Sequence, residues 1–207
     1  MYTLHYSPGS ASMLIHLLLL EIGAAHELRR VDLEAGAQRD PAYLRLNPGG
    51  VVPTLIVDGQ PCWETAGLAL LLSERHPEAG LAPLPGSPLR PAHLQWVAYL
   101  ANALQPAFRT WFYPEAAEPE AGVIMAAARR RIEACWDRID AHLAGGPYLL
   151  GDQPSVADFY ATMLMRWSRK MPRPATDWPQ LAALAGRIKA RPSWQRLYEI
   201  EDLTEWA

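Results

Sequence analysis

Three short segments of this 207-residue chain carry side chains whose types and spacing could bind or activate an anion. The first is Tyr6-Ser7-Pro8-Gly9-Ser10-Ala11-Ser12, where a strand-forming run hands over to an apolar helical one. Free N–H groups and the positive end of a helix dipole favour an anion at such a place. A thiol held there ionises more easily, each unit of pKa lowering being worth about 1.4 kcal/mol to the thiolate. Ser10 and Ser12 either offer a hydroxyl to that anion or simply cap the helix. The second segment is Gly50-Val51-Val52-Pro53-Thr54-Leu55. Pro53 removes one main-chain donor and holds Val52 extended. With a cis Val52–Pro53 bond the main chain of Val52 turns outward and can bind a peptide as an added strand would; a trans bond makes an ordinary strand start. The third, Trp63-Glu64-Thr65-Ala66, opens a helix after a strand. There Thr65 and the adjacent amides can grip a carboxylate and Glu64 can pair with an ammonium, or the residues serve only as a helix cap.

The elements that must position these segments can be read from periodicity. Tyr2 to Tyr6 is a short strand, and a helix from about Ala11 to Ile22 is closed by Gly23. Glu27 to Val31 is predicted as a second strand and Pro41 to Leu46 as a short helix before the break Asn47-Pro48-Gly49-Gly50. Thr54 to Val57 and Gln60 to Trp63 flank Asp58-Gly59 as a hairpin, and Glu64 to Arg75 is helical. The order β-α-β-α-β-β-α is an α/β layer with a small sheet. Residues 79–91 hold Pro83, Pro85, Pro88 and Pro91 with Gly80 and Gly86, which suits a linker. Beyond it the chain is helical throughout: Leu94, Val97, Leu100, Ala101 and Leu104 form one apolar stripe. Further helices are expected over Glu120–Leu143, Ser155–Trp167, Leu181–Lys189 and Trp194–Ile200, the last two bounded by Pro179 and Pro192. The domains are therefore 1–78 (α/β), a linker 79–91, and 92–207 (all helical).

Composition removes several classes of function. Nineteen basic against 22 acidic residues leave a net charge of −3, which does not suit a polyanion-coating surface, so nucleic acid is not the expected partner. The basic aromatic group of Arg166, Arg169, Lys170 and Arg173 with Trp167 and Trp178 is expected to be a solvated face or a dimer rim. The apolar run Met13–Leu20 is interrupted by His16 and stops at Glu21, well short of the roughly 20 residues a membrane span needs. No secretory signal pattern opens the sequence, and the two cysteines, Cys62 and Cys135, make no disulfide framework and no Cys-x-x-Cys pair. The expected location is the cytoplasm. His5, His16, His26, His76, His93 and His142 show no metal-ligand spacing, so no metal is expected.

Taken together, the order and spacing of the three segments resemble the N-terminal half of the cytosolic glutathione S-transferase family. The resemblance runs through the first turn, Val51-Val52-Pro53-Thr54-Leu55 and Glu64-Thr65-Ala66. It continues at Tyr148-Leu149-Leu150-Gly151-Asp152-Gln153-Pro154-Ser155-Val156-Ala157-Asp158, where Ser155 and Asp158 have the spacing of a helix capping box. It implies a thioredoxin-like α/β N-terminal domain, an all-α C-terminal domain, glutathione as co-substrate and a homodimer. In that family Pro53 would be cis, Val52 would pair its main chain with the cysteinyl part of glutathione, and Glu64 and Thr65 would hold the γ-glutamyl end.

The same resemblance leaves the residue that activates the thiol open. Tyr-Ser-Pro-Gly is similar to the bacterial beta class, whose cysteine would fall at Ala11; Ser12 fits that class, whereas Gln105-Pro106 stands where it has a histidine–lysine pair. Pro-Gly-Ser-Ala is similar to the serine-type delta class, which would give the activating hydroxyl to Ser10. The order of expectation is Ser10, then Ser12, then Tyr6. Phe108, Arg109, Trp111, Phe112 and Tyr113 lie where the family places its pocket for a small hydrophobic electrophile, although aromatics at that spacing also build cores. The implied reaction is conjugation or reduction by a glutathione thiolate, with peroxidase or isomerase activity as variants. The alternative is a non-catalytic glutathione- or ligand-binding module on the same fold.

Overall fold

The computed structural model describes residues 1–115, 117 and 119–206. The chain forms two compact units, Met1–Ala82 together with the stretch from Lys189 onward, and Pro83–Ile188.

The first unit is built on β1 (Tyr2–Tyr6), α1 (Ser12–Ile22), β2 (His26–Arg30), α2 (Pro41–Leu44), β3 (Thr54–Val57), β4 (Gln60–Cys62) and α3 (Thr65–Arg75). The sheet order is β2-β1-β3-β4. β1 and β2 are parallel, joined by the crossover through α1, while β3 runs antiparallel to β1 and to β4. Apolar side chains every second residue bury Tyr2 and Leu4 on one face of β1 and Leu55 and Val57 on β3. α1 is buried from Ser12 to Leu19, as its nearly unbroken apolar sequence requires. It ends at Gly23 (φ 72°), whose left-handed backbone lets its own N–H reach the Leu20 carbonyl and that of Ala24 reach Leu19.

The second unit contains α4 (Arg90–Tyr99), α5 (Gln105–Phe112), α6 (Glu120–Leu143), α7 (Val156–Trp167) and most of α8 (Pro179–Lys189). α4 and α5 are one helical run interrupted by a wide π turn over Leu100–Leu104, in which the Gln105 N–H donates five residues back to the Leu100 carbonyl. Pro106 accounts for the interruption: it has no N–H to donate, and its ring would press on the carbonyl four residues earlier. α7 is buried over Val156–Arg166, with Trp136 and Phe108 completing an aromatic core. The capping box at its start is formed: the Asp158 carboxylate accepts from Ser155 N–H, Ser155 Oγ and Leu149 N–H, each at 2.8 Å.

Two expectations are amended by the packing. Pro179 and Pro192 stand at the first helical position of α8 and α9 (Pro192–Glu201), where a missing N–H costs nothing, rather than outside them. The division at residues 78 and 92 counts α9 with the helical domain, but α9 packs on α1 inside the first unit. Polar contacts fix it there: the Glu21 carboxylate accepts from Arg191 and Ser193 at one end, and Glu201 reaches the first turn at the other. Among the described residues no helix is long and apolar enough to cross a membrane.

Candidate functional site

Strand register brings the three candidate segments to one end of the sheet, the C-terminal end of β1. His5 pairs with Thr54 and Leu55 with Cys62, so the chain leaving β1, the chain entering β3 and the chain leaving β4 are neighbours. Ser7–Ser12, Val51–Pro53 and Trp63–Thr65 follow from those three strand ends.

Ser7-Pro8-Gly9-Ser10 is a β-turn closed by Ser10 N–H to Ser7 C=O at 3.2 Å, with Gly9 at φ 66°. Proline at its second position and a positive-φ glycine at its third are the demands of a type II turn. The Ser10 hydroxyl donates to the Ser7 carbonyl at 2.7 Å and lies 2.8 Å from the Ser12 hydroxyl. Ser12 Oγ accepts the Ser7 N–H at 3.1 Å and is itself 3.1 Å from the Ser7 carbonyl. If the Ser10 O–H turns outward to another acceptor, Ser12 can therefore supply the Ser7 carbonyl in its place. Ser12 has no exposed surface, whereas Ser10 and Tyr6 are half-buried. Ser12 is thus the more enclosed of the two hydroxyls, bonded to Ser7 and Ser10. Simple capping is only partly met. Ala11 occupies the cap position, with no side-chain bond of its own, and Ser10 Oγ accepts the Ser12 N–H at 3.3 Å.

The turn is held from below by two residues that sequence reasoning did not assign. Glu201 on α9 accepts the Gly9 N–H at 2.8 Å with one carboxylate oxygen and contacts His16 Nδ1 at 2.7 Å with the other. Both side chains are fully buried. His16 is ringed by Tyr6 and His26 at 5.8 and 5.7 Å between centroids, and its Nε2 has no partner among the described residues. The polar residue inside the apolar run Met13–Leu20 was the available signal for His16. Glu201, 192 residues from Gly9, had none.

At the second segment the Val52–Pro53 peptide bond is cis. The Val51 carbonyl is taken up by Tyr43 OH at 2.7 Å and Asn47 Nδ2 at 2.8 Å, and Tyr43 OH lies 2.9 Å from Thr54 Oγ1. Burial pushes the Tyr43 hydroxyl pKa up, so it stays a neutral donor. The Val52 side chain packs with Val31 and Tyr43, while no hydrogen bond among the described residues reaches the Val52 main chain. A main-chain donor and acceptor at a strand start are therefore left for an added strand.

At the third segment Glu64 is exposed and holds φ 74°, ψ 105°, a costly conformation for a non-glycine residue. Its side chain makes no capping bond, so plain capping is not its role. Thr65 is buried at the helix start, and Trp63 beside it is 48% exposed. The N–H groups of the first turn of α3 remain available to an acceptor. Cys62 and Cys135 are both free thiols. Among the described residues no group of three or more His, Cys, Asp and Glu side chains could hold a metal ion.

In the second unit the expected aromatic pocket divides. Phe108 is fully buried against Trp136, Trp167 and Phe112, so it belongs to the core rather than to a pocket wall. Trp111 is half-buried, and Arg109 is exposed with its guanidinium 4.8 Å above the Tyr113 ring. Phe112 and Tyr113 are 46% and 63% exposed.

Comparison with known proteins agrees with this geometry. Residues 10–75 match the profile of the glutathione S-transferase N-terminal domain, and residues 122–198 that of the C-terminal domain. Glutathione S-transferase GST-4.5 of Xanthomonas campestris is 30% identical over 97% of this chain and 98% of its own. A glutathione transferase from Methylococcus capsulatus superposes with a TM-score of 0.89 at 32% identity, over 99% of this chain and 100% of that one. A sphingomonad glutathione S-transferase, solved in complex with glutathione, gives 0.86 at 32% identity over 98% and 100%. With relatedness extending from the first turn to the last helices, the chain belongs to the glutathione S-transferase family.

Proposed function

We propose that the protein is a glutathione transferase in which Ser10 stabilises the glutathione thiolate. The single observation that carries this reading is the meeting of the three segments at one end of the sheet. The unpaired main chain of Val52 suits the cysteinyl peptide of glutathione, which would bind there as a short added strand. The free amides at the start of α3, with Thr65, suit the γ-glutamyl carboxylate, and the exposed Glu64 suits its ammonium. The thiol would then lie by the turn before α1, where the half-buried Ser10 hydroxyl can turn outward to it.

A donated hydrogen bond favours the charged sulfur over the neutral one and lowers its pKa. The thiolate then attacks an electrophilic carbon: the C–S bond forms as the leaving group departs with its electron pair. A peroxide in place of the carbon electrophile would be reduced at the same site. The structures solved with glutathione support it as co-substrate, and the family supports a homodimer with a small hydrophobic electrophile as second substrate.

One observation favours the non-catalytic alternative. Both serine hydroxyls are already engaged internally, which suits a site that binds glutathione without ionising it. Calorimetry tests the shared part of both readings. Glutathione should bind, and Glu64→Ala should weaken it by about tenfold, the value of a hydrogen bond to a charged group. Absence of binding would remove the glutathione site altogether.

A further inference from the structure

We propose that Gln105 and Arg109 select the second substrate by a carboxylate carried on an aromatic electrophile. The proposal rests on the transferase reading for its chemistry and on the second unit alone for its geometry. The π turn over Leu100–Leu104 adds one residue to the helical run, which rotates everything after it by about 100° relative to α4. Pro106 keeps that offset in place, because a regular turn there would need an N–H it lacks. As a result Gln105, Arg109, Phe112 and Tyr113, at spacings of four, seven and eight residues, share one face of α5 and its end.

Gln105, Arg109 and Tyr113 offer groups to a ligand, and Phe112 ties this face to the core, stacked on Phe108 and edge-on to Trp167. Tyr160, buried in α7, donates its hydroxyl to Gln105 Oε1. That bond occupies the acceptor of the amide and fixes its orientation, leaving the NH2 group, for which no partner exists among the described residues, as an aimed donor. Arg109 has no ion-pair partner among the described residues, and its guanidinium carbon sits 4.8 Å from the centre of the Tyr113 ring, a cation–π contact that leaves its N–H groups able to serve a carboxylate. Phe112 and Tyr113 keep 46% and 63% of their surface in water, an unusual cost for adjacent large rings unless something covers them. A cation with no carboxylate partner among the described residues, a fixed amide donor and two part-exposed aromatic rings together complement a flat, acceptor-bearing anion. A neutral hydrocarbon electrophile would leave both polar groups without a partner.

Calorimetry with 4-nitrobenzoate and with nitrobenzene reads the selection directly, without glutathione. The wild type is expected to bind the carboxylate about tenfold more tightly, as a charge-assisted hydrogen bond gives. Arg109→Gln should abolish the preference and Gln105→Leu should reduce it several-fold, while Arg109→Lys, which keeps the charge, retains part of it. In turnover, the ratio of kcat/KM for 4-chloro-3-nitrobenzoate to that for its methyl ester should fall in the same order. Equal affinity of the wild type for the two probes, or a preference that survives Arg109→Gln, would overturn the proposal. Loss of glutathione binding in the same instrument would strike the transferase reading instead, and the nitrobenzoate comparison would still decide this one.

Discussion

Two buried carboxylates do the same physical work in the two units, and they differ in where their partners lie in the sequence. Asp158 accepts from main-chain N–H groups of Ser155 and Leu149, three and nine residues away, and fixes the start of α7. Glu201 accepts from the main-chain N–H of Gly9, 192 residues away, and fixes the turn that presents Ser10. The local carboxylate organises a helix that is buried along its length, whereas the distant one organises a turn whose Ser10 is half-open. Their partners differ as well: Asp158 adds a neutral hydroxyl, and Glu201 adds His16. A helix start can be capped by its own neighbours, but a turn that must stay open on one side has to be held from the other, here by α9.

The contrast predicts unequal consequences when each carboxylate is altered. Glu201→Ala removes the acceptor shared by Gly9 and His16 and leaves the fully buried His16 without its carboxylate partner. About 3 kcal/mol of stability should be lost in denaturant unfolding, and the release of the turn should lower glutathione-dependent activity beyond what global stability explains. A variant that keeps full activity in its folded fraction would show that α9 does not position the turn.

Asp158→Asn should cost about 2 kcal/mol, because an amide nitrogen cannot accept from the Ser155 N–H and hydroxyl. Activity per folded molecule should be retained. This carboxyl also carries a pH signature. Burial pushes its pKa up to about 6 from 3.8, against the hydrogen bonds from Leu149 and Ser155 that favour the charge. The folded state thus holds the proton more tightly than the unfolded chain does. Its contribution is greatest below about 4 and falls as pH rises through about 6. The Tm advantage of wild type over Asp158→Asn should therefore shrink between pH 4 and pH 6.5; an advantage that grows over that range would reverse the assignment. The smallest effect is expected from Ser155→Ala, which removes one hydroxyl from the box and should cost about 1 kcal/mol.

The same contrast marks what the sequence could disclose. The Ser155–Asp158 spacing is legible because a capping bond closes within one turn. The strands and α1, α3, α6 and α7 are legible because burial of one face or stripe imposes its period on the side chains. The choice of the cis form at Pro53 rests on resemblance, since the local sequence leaves cis and trans both open. The Glu201–Gly9 contact could not be read at all: it depends on α9 folding back onto α1, and no local pattern encodes a partner at that separation. The π turn was hidden for another reason. A proline inside a helix ordinarily breaks or kinks it, yet at Pro106 the chain makes one wider turn inside a continuous helical run. Phe108 and Phe112 stand four residues apart on α5 and both pack against Trp167; the further contact of Phe108 with Trp136 marks the core ring.

The central claim is that the Ser10 hydroxyl, backed by Ser12, ionises the thiol of bound glutathione. Ultraviolet difference absorbance of the thiolate, titrated against pH at saturating glutathione, tests it most directly. Wild type should show a midpoint well below the ordinary thiol value of about 8.5. Ser10→Ala should return the midpoint toward that value, and Ser12→Ala, which leaves the Ser10 donor in place, should move it only slightly. An unshifted wild-type midpoint, or a Ser10→Ala curve that overlays the wild type, would contradict the account.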